Sequence, residues 1–206
     1  TANSKTYDGG TVATLSGGIL SGVIGLDSVT LGSSTGTFAD KNVGTGKAVT
    51  ASGITLGGTD AGNYTVTQPT GLTADISAKA LTVAGMTANS KTYDGGTVAT
   101  LSGGSLSGVM GSDSVTFSNQ TGTFADKNVG TGKAVTVSGI TLDGTDAGNY
   151  TVTQPTGLTA DITAKTLTVT GMAADNKTYD GNANATLNGG SLDGVIGLED
   201  VTFSGQ

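Results

Sequence analysis

The 206-residue sequence contains no cysteine, histidine, tryptophan or arginine, and Glu199 is its single glutamate. Without cysteine and histidine it has no disulfide framework, no thiolate zinc site, no cysteine nucleophile and no histidine-based catalytic triad. It also lacks the motifs of a serine nucleophile elbow and of a phosphate-binding loop. We therefore expect no enzymatic activity, no catalytic residue and no organic cofactor.

Basic residues and long apolar runs are also scarce. Nine lysines stand against sixteen acidic residues, so the formal net charge is −7 at pH 7. A negatively charged surface repels phosphate groups, which argues against nucleic acid and anionic membranes as partners. No apolar run approaches the roughly 20 residues of a membrane-spanning helix, so we expect no membrane insertion.

Glycine and threonine are present in excess, with 36 and 38 residues respectively. Threonine and valine favour strands and glycine favours turns, whereas the strong helix formers glutamate and arginine are almost absent. This composition predicts an all-β protein.

The sequence repeats itself with a period of 86 residues. Residues 1–86 and 87–172 are identical at 74 positions, and residues 173–206 begin a third copy. A period of this length suits a small domain better than a solenoid repeat of about 20–50 residues. Seven of the twelve differences between the first two copies fall within residues 19–34, which indicates either an exposed recognition face or a loop that tolerates substitution.

The segment that joins successive copies, residues 73–85, contains no proline, no Ser/Gly-rich linker and no run of charge. The sequence therefore predicts a unit at 1–77 that lacks its first strand, a complete unit at 78–163, and the first half of a third unit at 164–206. We expect the chain to be a section of a longer, elongated array with stiff junctions, with a short Ala-Lys hinge as the alternative.

Alternating polar and apolar residues between turn signals predict roughly seven to nine short strands in the complete unit. This pattern is typical of a small β-sandwich of the immunoglobulin type, and a β-grasp-like sheet is the alternative. One strand is expected to end at Gly103 and Gly104. The predicted core of this unit and of the following strand consists of Val98, Leu101, Leu106, Val109, Val115, Phe117, Phe124, Val135, Val137, Ile140, Leu142, Tyr150, Val152, Leu158, Ile162, Leu167 and Val169.

The sequence Asp-Ala-Gly-Asn-Tyr occurs at 60–64 and 146–150, each time before an alternating Thr-Val-Thr. This arrangement is typical of a tyrosine corner, in which the hydroxyl bonds to upstream backbone, and a plain Gly-Asn turn is the alternative. The tyrosine of each Lys-Thr-Tyr-Asp-Gly is expected to be a half-buried packing residue rather than a glycan-stacking platform. Structural roles are thus predicted for Tyr7, Asp8, Gly9, Tyr64, Tyr93, Asp94, Gly95, Tyr150 and Tyr179.

Calcium is the one metal hypothesis, because hard oxygen ligands lie in the predicted loops. The candidate ligands are Asp8, Asp40, Asn42, Asp60 and Asn63. No calcium-loop spacing is present, and loop Asp residues more often bond their own backbone. A Lys–Asn or Lys–Asp isopeptide crosslink is a further alternative that the sequence leaves open.

Four motifs recur in the same order along the copies. They are Lys-Thr-Tyr-Asp-Gly at 5–9, 91–95 and 177–181, Gly-Thr-Phe-Ala-Asp-Lys-Asn-Val-Gly-Thr-Gly-Lys at 36–47 and 122–133, Asp-Ala-Gly-Asn-Tyr at 60–64 and 146–150, and Thr-Ala-Asp-Ile-(Ser/Thr)-Ala-Lys at 73–79 and 159–165. Together they resemble the YDG-type tandem repeats of large secreted filamentous-haemagglutinin-like bacterial adhesins. The resemblance implies secretion, tandem arrays and an adhesive or scaffolding role, and it carries over no catalytic residue.

We therefore expect a structural or adhesive repeat segment of a bacterial cell-surface or secreted protein, acting as a stiff stalk or a fibre-forming spacer. Its expected partners are further copies of the repeat in the chain, neighbouring chains that pair through edge strands, and a host or surface ligand. The alternative is a binding module whose repeats contact a receptor, a glycan or a neighbouring chain, including self-assembly into extracellular filaments or biofilm.

Overall fold

The computed structural model of the protein describes residues 1–204. The chain is all-β, as predicted, with 46% of its residues in strands, and the described part contains no α-helix, only 3₁₀ turns at Ala61–Asn63 and Ala147–Asn149. No helix in residues 1–204 is long and apolar enough to cross a membrane. The strands are β1 Lys5–Thr6, β2 Val12–Ala13, β3 Thr30–Leu31, β4 Thr35–Phe38, β5 Gly44–Ser52, β6 Leu56–Gly57, β7 Leu72–Ser77, β8 Lys79–Ala88, β9 Lys91–Thr92, β10 Val98–Ala99, β11 Leu101–Ser107, β12 Thr116–Ser118, β13 Thr121–Phe124, β14 Gly130–Ser138, β15 Thr141–Asp143, β16 Tyr150–Thr153, β17 Leu158–Thr163, β18 Thr168–Ala174 and β19 Leu187–Asp193.

The first two copies each form the same five-stranded sheet. Its order is β1-β7-β5-β4-β2 in the first copy and β9-β17-β14-β13-β10 in the second. The short strands β1 and β9 run parallel to their neighbours, and the other pairs are antiparallel. Strand β4 is buried at alternate residues, as expected when one face of a sheet covers a core. Gly36 in this strand is required, because a Cβ there would lie 2.7 Å from the carbonyl oxygen of Ala13.

The other strands of each copy pair outside this sheet. Strand β16 runs parallel to β8, with Tyr150 opposite Lys79, and the three-stranded sheet has the order β11-β8-β16. Strand β12 pairs with β15, β18 with β19 and β3 with β6. The prediction that a strand ends at Gly103 and Gly104 was wrong, because β11 continues through both. Their φ angles of 68° and 96° are conformations that glycine adopts without steric cost.

The chain forms two compact units, and each is built from two successive copies. The first unit contains residues 1–85, 104–119 and 139–155, and the second contains 86–103, 120–138 and the described residues from 156 onward. Each unit combines the five-stranded sheet of one copy with strands and loops of the next copy. The folding units are therefore offset from the period of the sequence.

The core of each unit lies on the buried face of its five-stranded sheet. In the first unit the buried cluster is Tyr7, Ala13, Phe38, Val49, Ala74, Ile76, Leu81 and Tyr150. In the second unit it is Ala99, Phe124, Val135, Ala160 and Ile162. Tyr150 belongs to the second copy, so the first core contains side chains from both copies.

Two predicted core residues are exposed instead. Val98 is 75% exposed because its neighbour Ala99 is the residue of β10 that faces the core, and alternate residues of a strand point to opposite faces. Val169 is 44% exposed and lies in β18, all of whose residues are exposed. The alternation was predicted in the wrong phase at Val98.

Candidate functional site

The carboxylate of Asp113 lies at the centre of a hydrogen-bonded cluster in the first unit. Its side chain is only 8% exposed and lies in the loop between β11 and β12. One carboxylate oxygen, Oδ2, accepts hydrogen bonds from the hydroxyls of Tyr7 at 2.6 Å and Tyr150 at 2.7 Å. The other oxygen, Oδ1, accepts a charge-assisted bond of 2.7 Å from Nζ of Lys41. Together with Asp146, these four residues form what we call the junction cluster.

The lysine and the two hydroxyls keep Asp113 ionised. The bond from Lys41, followed by those from Tyr7 and Tyr150, lowers the pKa of Asp113 to about 2. The same bond to Asp113 raises the pKa of the Lys41 ammonium above its ordinary value. The pair is thus fully charged at neutral pH.

The two tyrosines that hold Asp113 are buried and touch each other. Tyr7 is 1% exposed and Tyr150 is 6% exposed, and their rings meet edge to face with centroids 5.2 Å apart. Burial, and then the bond to Asp113, raises the pKa of Tyr150 to about 12 and also raises that of Tyr7. Both hydroxyls therefore stay protonated at neutral pH and act as donors. The Tyr150 hydroxyl also accepts a 2.9 Å bond from the backbone N–H of Met110.

Lys41 links the cluster to a second acid and to an aromatic ring. Its Nζ lies 3.3 Å from Oδ1 of Asp146 and 5.8 Å from the centroid of the Tyr7 ring. Asp146 also accepts a 2.9 Å bond from the backbone N–H of Ser114, which is the largest cause of its lowered pKa. Asp146 therefore ties its turn to the loop that precedes β12 while it pairs with the lysine.

Asn149 forms a second tie beside the junction cluster. This side chain is 6% exposed, and its Oδ1 accepts a 2.9 Å bond from the backbone N–H of Val43. Its Nδ2 donates to Oδ1 of Asn42 at 3.2 Å. The Asp-Ala-Gly-Asn-Tyr turn of the second copy thus holds the Asp-Lys-Asn-Val loop of the first.

The same contacts recur at the next pair of copies. In the second unit, Glu199 occupies the position of Asp113 and accepts hydrogen bonds from the Tyr93 hydroxyl and, at 2.7 Å, from Nζ of Lys127. Tyrosine and acid are again 106 residues apart, and lysine and acid 72. The bond from Lys127, followed by that from Tyr93, lowers the pKa of Glu199. The cluster is therefore a repeating contact between one copy and the next.

The predicted structural tyrosines occupy three different environments. Tyr7 and Tyr150 lie in the junction cluster, and Tyr93 is half-buried against Glu199. Tyr64 is also half-buried and donates a 2.6 Å bond to the exposed Asp27 of its own copy. Tyr179 is 93% exposed. Tyr7 and Tyr93 thus receive their acidic partner from the following copy, whereas Tyr64 and Tyr150 bond to an acid of their own copy.

The hydroxyls of the two predicted corner tyrosines contact backbone far upstream in the sequence, rather than a few residues away. The hydroxyls of Tyr64 and Tyr150 accept bonds from the N–H groups of Ile24 and Met110, each 40 residues upstream. The preceding residues form the 3₁₀ turns at Ala61–Asn63 and Ala147–Asn149.

The turn residues predicted beside the first tyrosine bond to each other locally. Oδ1 of Asp8 accepts bonds from Nζ of Lys5 at 2.7 Å and from the N–H of Gly10 at 2.9 Å, and Gly9 has a φ of 78°. Asp94, Gly95 and Lys91 repeat this arrangement in the second copy.

The candidate calcium ligands lie in separate local turns. Asp40 accepts bonds from Lys47 and from the N–H of Asn42, and Asp60 accepts one from the N–H of Ser28. Asn63 is exposed. Among residues 1–204 no group of three or more acidic side chains is placed to hold a metal ion. The candidate ligands therefore do not meet in one site, and calcium binding stays a prediction.

Sequence analysis missed Lys41, Asp113, Asp146 and Asn149. Each lies in a motif or a recurring position, since an acid stands at 27, 113 and 199, one period apart. That recurrence was the available signal. It did not identify the partners Tyr7 and Lys41, because they belong to a different copy from Asp113.

Replacement of Asp113 by alanine is expected to lower the free energy of unfolding by at least about 2 kcal/mol, because two buried tyrosine hydroxyls lose their acceptor. Urea denaturation, followed by circular dichroism, measures this loss. The matched control is Asp27→Ala, the same change at the exposed equivalent position, which is expected to have a much smaller effect. Equal effects of the two substitutions would contradict the role of the cluster.

The stabilisation by Asp113 is expected to depend on pH. Its folded-state pKa of about 2 lies below the ordinary value of about 3.9, so the carboxylate stabilises the fold fully above the ordinary value. This contribution is lost as the pH falls through about 2. The difference in unfolding free energy between the wild type and Asp113→Asn should therefore be full at pH 7 and shrink below about pH 4. A difference that stays constant from pH 7 to about pH 2 would argue against the ion pair.

The model of one protein family, the YDG domain, matches the chain three times in tandem, at residues 1–71, 77–157 and 163–206. No curated protein and no solved structure matches the chain. The three matched segments include every residue of the junction cluster and its repetition around Glu199. The chain is therefore a tandem array of YDG domains and belongs to the YDG-domain family.

Proposed function

We propose that this chain is a structural repeat segment without catalytic activity, which serves as a spacer in a secreted or cell-surface bacterial protein. The observation that carries the proposal is the origin of the partners of Asp113. Tyr7 and Lys41 come from the first copy, whereas Asp113 and Tyr150 come from the second. A side chain that needs donors from two copies ties those copies into one folding unit.

The chemistry of the junction cluster favours a structural role over a catalytic one. Asp113 accepts three hydrogen bonds, and Lys41 is charged and bonded to two acids. A protonated amine has no free electron pair, so it is a poor nucleophile in this state. This pairing favours a permanent structural contact over an active site or an isopeptide-forming site.

A pulling force along the chain would load the contacts of the junction cluster. Tyr7 and Asp113 are 106 residues apart, so their contact closes a long loop of chain. That loop cannot extend until the cluster opens. Repeats joined in this manner are suited to a spacer that keeps its length under load.

The location and the adhesive role are the parts of the proposal that depend on motif resemblance. The four recurring motifs resemble those of large filamentous-haemagglutinin-like adhesins. A surface-exposed or secreted array, with a role in adhesion or in a biofilm scaffold, is the corresponding proposal for this chain. The excess of acidic over basic residues is compatible with a solvated extracellular segment.

Single-molecule pulling of the whole chain between its ends tests the load-bearing role. The wild type is expected to unfold in resolvable steps, and Asp113→Ala should raise the unfolding rate of one step at least about tenfold at a given force. Asp27→Ala is the matched control and should change the unfolding rate of every step much less. A chain that extends without a resolvable step, or the same unfolding rate in both variants, would contradict the proposal.

A further inference from the structure

The first compact unit consists of two halves that share no strand pair. We call residues 1–77, which contain β1 to β7, the sheet half, and residues 79–85, 104–119 and 139–155 the second-copy half. In the described part of the chain, the sheets that contain β1 to β7 include no other strand, and β8, β11 and β16 form a separate sheet. The two halves can therefore separate without the loss of any strand pairing.

Side chains hold the two halves together. Tyr7 and Lys41 of the sheet half bond to Asp113, and the rings of Tyr7 and Tyr150 meet edge to face. Leu81 of the second-copy half is 0% exposed and belongs to the same buried cluster as Tyr7. Separation exposes these apolar and polar groups at a free-energy cost, so an open unit closes again on a matching surface.

A single residue, Ala78, connects the two halves. Strand β7 ends at Ser77 and β8 begins at Lys79, so the chain leaves one sheet and enters the other within one position. Short hinges favour the exchange of halves between chains, because they restrict closure within one chain. With Ala78 extended, residues 72–88 form one continuous strand of roughly 55 Å, which keeps the two halves of the same chain apart.

We propose that this chain binds a second copy of itself by exchanging halves at Ala78. The sheet half of one chain packs on the second-copy half of the other, and the reciprocal contact completes a two-fold symmetric dimer. Tyr7 and Lys41 of one chain then bond to Asp113 of the other, so the exchanged contact repeats the contact within one chain. In a spacer built from these repeats, such an exchange joins neighbouring arrays.

Engineered cysteines report which chain supplies the contact, because the sequence contains no cysteine of its own. A Cβ atom at Gly9 would lie 3.6 Å from the Cβ of Met110, which is within the range of a disulfide. A chain that carries both Gly9→Cys and Met110→Cys should therefore form an intrachain disulfide when it refolds from urea at about 1 µM, where closure within one chain dominates.

Two chains with one cysteine each distinguish exchange from closure within one chain. Gly9→Cys and Met110→Cys chains, mixed and refolded together at about 1 mM, should form at least about tenfold more disulfide-linked heterodimer than at about 1 µM. The matched control pairs Gly9→Cys with Tyr179→Cys, because Tyr179 is 93% exposed and belongs to neither half. The control mixture should form little heterodimer at either concentration.

The length of the hinge should control the exchange, which sedimentation velocity measures on refolded chains without cysteines. Deletion of Ala78 leaves no residue for the turn, so this variant should be dimeric even after refolding at about 1 µM. Insertion of Gly-Ser-Gly-Ser after Ala78 permits closure within one chain and should lower the dimer fraction obtained at about 1 mM at least about tenfold. The same insertion in the exposed turn after Gly181 is the control and should leave that fraction unchanged.

Three results would overturn the proposal. They are a wild type that stays monomeric after refolding at about 1 mM, a dimer fraction that the hinge insertion does not lower, and a cysteine mixture that forms no more heterodimer than its control. Circular dichroism of each refolded sample shows that the fold is retained. Failure of the exchange would leave the proposed spacer function intact, because that function depends on contacts within one chain, which the pulling experiment measures.

Discussion

The structure depends on one carboxylate that is satisfied by two copies of the repeat at once. The side chain of Asp113 is only 8% exposed, and a charge so largely withdrawn from solvent is stable only when it is paired and hydrogen-bonded. Tyr7 and Lys41 of the first copy and Tyr150 of the second copy meet this need. Removal of either copy would take donors or acceptors from the groups of the other, so the cluster forms only where two copies fold against each other.

An acidic residue stands at the same position of all three copies, and its hydrogen-bond donors differ from copy to copy. Asp113 has both tyrosines and the lysine, Glu199 has one tyrosine and the lysine, and Asp27 has one tyrosine. Burial follows this order, since the side chain of Asp113 is 8% exposed, that of Glu199 is 29% exposed, and Asp27 is exposed. The exposure of the acid therefore falls as the number of side-chain donors that reach it rises.

Much of the fold could be predicted from the sequence, because strands and turns leave local signals. The alternation in β4 and the turn at Asp8 and Gly9 are local, and both are present. Val98 was assigned to the wrong face because β10 has only two residues, and two residues are too few to fix the phase of the alternation. The strand through Gly103 was missed because a glycine in the sequence can mark either a turn or an irregularity within a continuing strand.

The site could be predicted only in part. The tyrosines were given structural roles, but Lys41 and Asp113 lie 72 residues apart, and no local pattern connects residues at that separation. Their pairing depends on how the sheet of one copy assembles with the strands of the next. A recurring acid at each period indicates importance, but it does not say which copy provides its partners.

A double-mutant cycle between Tyr7→Phe and Asp113→Asn tests the central claim most directly, because the two residues belong to different copies. The free energies of unfolding of the wild type, both single variants and the double variant should show a coupling of at least about 1 kcal/mol. The parallel cycle of Tyr7→Phe with Asp27→Asn should be additive within about 0.5 kcal/mol. Additivity in the first cycle would contradict the claim that this carboxylate joins successive repeats.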